Sequence, residues 1–80
     1  MKATFRVLAK SGQSYRWRFT ECQDIDDYGN GIYIRIKHPS GDCTYLDCRY
    51  DKNYNFRKTC VDFLTEYYGT NLDELSEDDL

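Results

Sequence analysis

Eighty residues with a net charge of −3, 40% of them hydrophobic and 31% charged, make one domain near the lower size limit for a self-sufficient core. No stretch approaches the roughly 20 apolar residues of a membrane span. The opening residues, Met1-Lys2-Ala3-Thr4-Phe5-Arg6, lack the apolar run of a secretory signal, so a cytoplasmic protein with no membrane contact is expected.

Residues 3–9 alternate, with Ala3, Phe5, Val7 and Ala9 on one face and Thr4, Arg6 and Leu8 on the other. Residues 15–21 repeat the pattern, Tyr15, Trp17 and Phe19 against Arg16, Arg18 and Thr20. Such period-2 alternation predicts half-buried strands. A three-residue turn, Lys10-Ser11-Gly12 with Gly12 left-handed, pairs Phe5 with Trp17 and Val7 with Tyr15. A two-residue turn would set Val7 against an arginine, so the apolar pattern selects the longer one.

A polar loop, residues 23–31, follows. Its Asp24-Ile25-Asp26-Asp27-Tyr28-Gly29 hints at a calcium loop, but Tyr28 stands at a ligand position and the twelfth residue is Arg35 instead of Glu. Ile32-Tyr33-Ile34-Arg35-Ile36-Lys37 is a third strand with its isoleucines inward. His38-Pro39-Ser40-Gly41-Asp42 is a turn by composition. Residues 43–49 form a fourth strand, with Leu46 and Cys48 inward.

Phe56, Cys60, Phe63, Leu64 and Tyr67 then fall at i, i+4, i+7, i+8 and i+11, the apolar stripe of a helix. Asn53 is the expected N-cap and Gly69 the expected stop. The predicted fold is α+β: a four-stranded antiparallel meander sheet with one C-terminal helix packed on one face, in the order ββββα. Residues 1–69 make the domain, and 70–80 an acidic C-terminal tail or short helix.

Chemistry at a site is not indicated. Of the four cysteines, Cys43 and Cys48 have an odd offset that places them on opposite faces of a strand, Cys22 and Cys60 stand alone, and the single His38 sits in a proline turn. Free thiols are therefore expected, rather than disulfides or a zinc site. A thiol or hydroxyl nucleophile would need a base beside it, and none can be placed. No phosphate-cradling glycine motif occurs. The expectation is a non-enzymatic protein without metal, cofactor or small-molecule substrate.

The charges say more. Residues 1–70 carry eleven basic and nine acidic side chains, whereas the last ten carry five acids and no base. By strand parity Arg6, Arg16, Arg18, Arg35, Lys37 and Arg49 project from the outer sheet face, joined by Tyr33 and Tyr45, with Asp47 the one acid among them. Arg6 would face Arg16 directly, a destabilising pair. An uncovered sheet face must be polar in any case, but this composition suits an anionic partner, either an acidic protein surface or a nucleic acid. Asp73, Glu74, Glu77, Asp78 and Asp79 form a second candidate surface, an acidic interaction strip.

No family is identified from these residues. The sheet-then-helix order, with Tyr15-Arg16-Trp17-Arg18-Phe19 on an early strand, is similar in architecture to the DNA-arm-binding domains of phage and transposon integrases. The likeness covers at most residues 3–68, includes no specific motif and implies no residue roles; those domains are usually basic overall, whereas this chain is acidic. The sequence is read as a small binding module that docks on a protein partner and modulates it, in the manner of phage or mobile-element accessory proteins that inhibit host defence. The alternative is a nucleic-acid-binding module using the basic and aromatic outer face. A homodimer is compatible with either.

Overall fold

A computed structural model of the chain describes residues 1–24 and 29–78. Most of the calcium-like pattern at residues 24–29, and Asp79 of the acidic strip, lie outside the described residues. The elements are β1 (Lys2–Ala9), β2 (Ser14–Gln23), β3 (Ile32–Lys37), β4 (Cys43–Asp47), α1 (Phe56–Tyr68), a short 3-10 turn (Gly69–Asn71) and β5 (Leu72–Asp78). All strands join one antiparallel sheet in the order β4-β3-β2-β1-β5.

The first hairpin has the register selected by the apolar pattern. Phe5 pairs with Trp17, Val7 with Tyr15 and Arg6 with Arg16. Gly12, at a φ of 92°, turns the chain where its amide donates to the Ala9 carbonyl. The inner face buries Phe5, Val7, Trp17, Phe19, Ile34 and Ile36, and α1 lays Phe56, Cys60 and Leu64 onto it. Ile32 and Phe63, expected in the same core, are half-buried, and Tyr67 at the end of the helical stripe is 56% exposed. The helix is fixed at its far end by Trp17, whose indole Nε1 donates to the Tyr68 hydroxyl at 2.8 Å. All four cysteines are free thiols: Cys48 and Cys60 buried, Cys22 half-buried, Cys43 exposed.

Three expectations need correction. The helix is capped by Asn55, not Asn53: the Asn55 side chain accepts from the Lys58 amide at 3.0 Å. Asn53 instead turns on Asp51, its amide donating to that carboxylate. The sheet has five strands, not four, because the segment read as a tail or short helix is β5, paired to β1. A strand was concealed because Leu72 and Leu75 are three residues apart, a helical spacing. An irregularity opposite Leu8/Ala9 lets Leu72 pair with Ala9 and Leu75 with Val7, so both leucines reach the inner face. The acidic strip is consequently not one surface. Glu77 is half-buried and bound to Arg57 of α1 (2.9 and 3.2 Å), whereas Glu74 and Asp78 pair with outward-facing residues of β1.

β5 covers β1, which would otherwise be an open edge beneath Phe5 and Val7. Ending the chain after Asn71 should therefore abolish or strongly lower the cooperative thermal transition, and Leu75→Ala should cost about 2 kcal/mol in urea unfolding. A solvated tail would leave both unchanged.

Burial of Cys60 pushes its thiol from an ordinary 9.0 up to about 12. Above pH 9 the unfolded thiol ionises while the folded one stays protonated, so unfolding releases a proton and stability falls as pH rises from 9 to about 12. Tyr54, raised by burial and by its hydrogen bond to Glu21, acts with the same sign. Unfolding free energies measured across this range should decline for the wild type, and less steeply for Cys60→Ala.

Candidate functional site

Strand parity and register together assemble the outer face in rows. One row runs Cys43–Lys37–Arg18–Thr4–Asp78 from β4 to β5, and the next runs Tyr45–Arg35–Thr20–Lys2 from β4 to β1. Arg6 faces Arg16 across β1 and β2, and Arg18 faces Lys37 across β2 and β3. The face thus holds two like-charged cross-strand pairs, each unfavourable on its own.

They are treated differently. Asp78 of β5 reaches the first pair, with its Oδ2 3.1 Å from Arg16 and 3.7 Å from Arg6. That oxygen is buried without an aligned hydrogen bond, so charge holds it in place. No acid reaches the second pair among the described residues. Arg18 and Lys37, with Lys2 and Arg35, instead line an open concavity of about 570 Å³ whose described lining also includes Tyr45, Cys43 and Gly41 and no carboxylate. A smaller recess continues it past Arg16 and over the β3–β4 turn at His38, Pro39 and Gly41.

Of the residues singled out in the sequence, Arg18, Arg35, Lys37 and Tyr45 come together at this concavity. Arg6 and Arg16 are drawn toward β5 by Asp78. Tyr33 stands one row beyond, with its ring centroid 6.2 Å from that of Tyr45. Arg49 leaves the set: just past β4, it binds Asp47 through Nε and Nη2 at 2.9 and 2.7 Å and lies 5.4 Å from the Tyr50 ring centroid. Lys2 was missed, although the parity of β1 carries it to the face with Thr4 and Arg6. Its partner Thr20 sets it in the row of Arg35.

His38 belongs to the scaffold beneath this face. The His38 ring lies 4.5 Å from that of Trp17, and its Nε2 is 2.6 Å from Thr44 Oγ1, so it buttresses the β3–β4 turn. Among the described residues no group of three or more His, Cys, Asp or Glu side chains is arranged to hold a metal ion, and no helix is long and apolar enough to cross a membrane. Compared with protein-family models, curated proteins and solved structures, the chain matches none.

The Arg49 side chain and amide hold the Asp47 carboxyl at about 2, below its ordinary 3.8. The stabilisation from this pairing is present in full above the ordinary carboxylate range and is lost only as pH falls toward 2. In an NMR titration the Asp47 carboxyl should have a midpoint near 2, and Arg49→Gln should return it toward 3.8.

Proposed function

We propose that this chain is a non-enzymatic binding module whose outer sheet face docks on an acidic surface of a protein partner. The observation that carries the reading is the Arg18–Lys37 pair. Facing cations reduce stability, and here two more, Lys2 and Arg35, are gathered around them with no compensating acid among the described residues that line the concavity. An incoming anion would relieve that repulsion, so the arrangement is stabilised by binding where it is strained without it.

The extent of the patch favours a protein over a long polyanion. Asp47 bounds it toward one end of β4, and Glu74 and Asp78 bound it along β5. A nucleic-acid backbone crossing the sheet would meet those acids, and a net charge of −3 opposes its approach. A compact acidic patch fits within the boundary. Covering such a patch would modulate the partner by blocking its other contacts, as a small inhibitor does. One observation supports the nucleic-acid alternative: Tyr45 is 64% exposed beside Arg35, a combination suited to base stacking.

Binding of fluorescent poly-L-glutamate at low salt tests the reading. Arg18→Ser with Arg35→Ser should weaken it about tenfold, since exposed ionic contacts contribute up to about 1 kcal/mol each. The difference should shrink as salt rises and the screening length falls toward about 8 Å. The same double variant should be at least as stable as the wild type, because it removes the facing cations. Equal binding by wild type and variant would refute the proposal, and tighter binding of an oligothymidylate than of poly-L-glutamate would favour the nucleic-acid alternative.

A further inference from the structure

The two edges of the sheet differ. β5 is guarded by Asp73, Glu74, Glu77 and Asp78 and by the irregularity in its pairing, the devices that keep edge strands from adding another strand. β4, Cys43-Thr44-Tyr45-Leu46-Asp47, has a single charged residue, no proline and no register shift. Among the described residues nothing pairs with its outer side.

The ladder identifies which backbone groups are open. The His38 amide donates to the Asp42 carbonyl, and the Cys48 amide to the Ile32 carbonyl. With a continuous register between them, Thr44 and Leu46 exchange hydrogen bonds with β3. The amides and carbonyls of Cys43, Tyr45 and Asp47 therefore point away from the sheet. These are also the β4 residues whose side chains stand on the basic face, in line with Lys37, Arg35 and Tyr33.

We infer that β4 is a strand-addition edge, which takes an extended acidic segment of the partner protein and lays its carboxylates beside Lys37 and Arg35. The inference rests on the outer face being a docking surface and specifies how the partner is read. Backbone pairing at Cys43 and Tyr45 supplies register, and alternate side chains supply specificity. A residue added opposite Cys43 or Tyr45 lies about 10 Å from β3, two strand spacings away. Long lysine and arginine side chains meet a glutamate across that distance, and Cys43 is small enough not to intervene. Opposite Asp47 an acid would be repelled, so the segment should be acidic at two alternating positions and neutral at the third. Its other side chains flank the half-buried Thr44 and Leu46 and should be apolar.

A capped peptide of this pattern, Thr-Ser-Val-Glu-Val-Glu-Thr, is the probe, followed by NMR on the whole chain. Binding should slow amide exchange at Cys43 and Tyr45 at least about fivefold, because only a newly paired amide gains that protection. N-methylation of the two glutamates, which keeps their charge and removes the pairing donors, should weaken binding at least tenfold. N-methylation of the two valines, whose amides point outward, should weaken it less. Tyr45→Pro, which removes one open donor, should weaken binding likewise. Should that variant misfold, the N-methyl peptides decide alone.

Equal binding of the glutamate-methylated peptide, or no binding at millimolar peptide while poly-L-glutamate still binds, overturns strand addition and leaves the docking face standing. Loss of poly-L-glutamate binding as well overturns both. Concentration-dependent protection of Cys43 and Tyr45 without peptide would instead assign the edge to a second copy of this chain, and preferential binding of an oligothymidylate would assign the face to nucleic acid. Either result overturns the inference.

Discussion

Arg6 and Arg16 stand opposite each other in the first hairpin, and that repulsion is set by the core: any register that buries Phe5 against Trp17 brings the two guanidinium groups together. The fold resolves it with Asp78, delivered by the last strand. That one ion cluster helps fasten β5 to β1 and holds its counter-charge at the β5 side of the outer face. Among the described residues no acid reaches Arg18 and Lys37, since Asp78 is held at Arg6 and Arg16 and Asp47 at Arg49.

Packing on the other side of the sheet makes this charge division rigid. Trp17 is 1% exposed and sits among His38, Phe63, Tyr67 and Tyr68, with ring centroids 4.5 to 6.0 Å away. Aromatic clusters of this kind add to the stability given by buried area alone. Because inner and outer side chains alternate on the same strands, fixing Trp17 and Phe19 also fixes the directions of Arg16, Arg18 and Thr20. Precision on the basic face follows from packing behind it.

The sequence was legible where a single periodicity acted over several residues. The first two strands, their turn, β3 and the helical stripe all follow from alternation or from 3.6-residue spacing, because one buried face dictated each. Most of the basic face follows from the same parity. What could not be read depended on partners distant in the chain. Leu72 and Leu75 look helical until the irregularity opposite Ala9 is known. Asp47 and Arg49 both have outward parity, yet they bind each other and Arg49 leaves the patch. Asn55 caps the helix in place of Asn53 because the choice between two nearby asparagines rests on local geometry.

The pairing of Thr4 with Asp78 joins the first strand to the last. The hairpin of β1 and β2 closes through three residues, but β5 closes a loop that contains almost the whole chain. Closure entropy grows only slowly with loop length, whereas such distant contacts form late and slow the search for the native topology. A population with β5 undocked therefore exposes β1 as a regular strand with an open hydrogen-bonding side. Another copy's β5 fits that side as well as its own does, so exchange of the last strand between molecules is the misassembly to which this topology is most open.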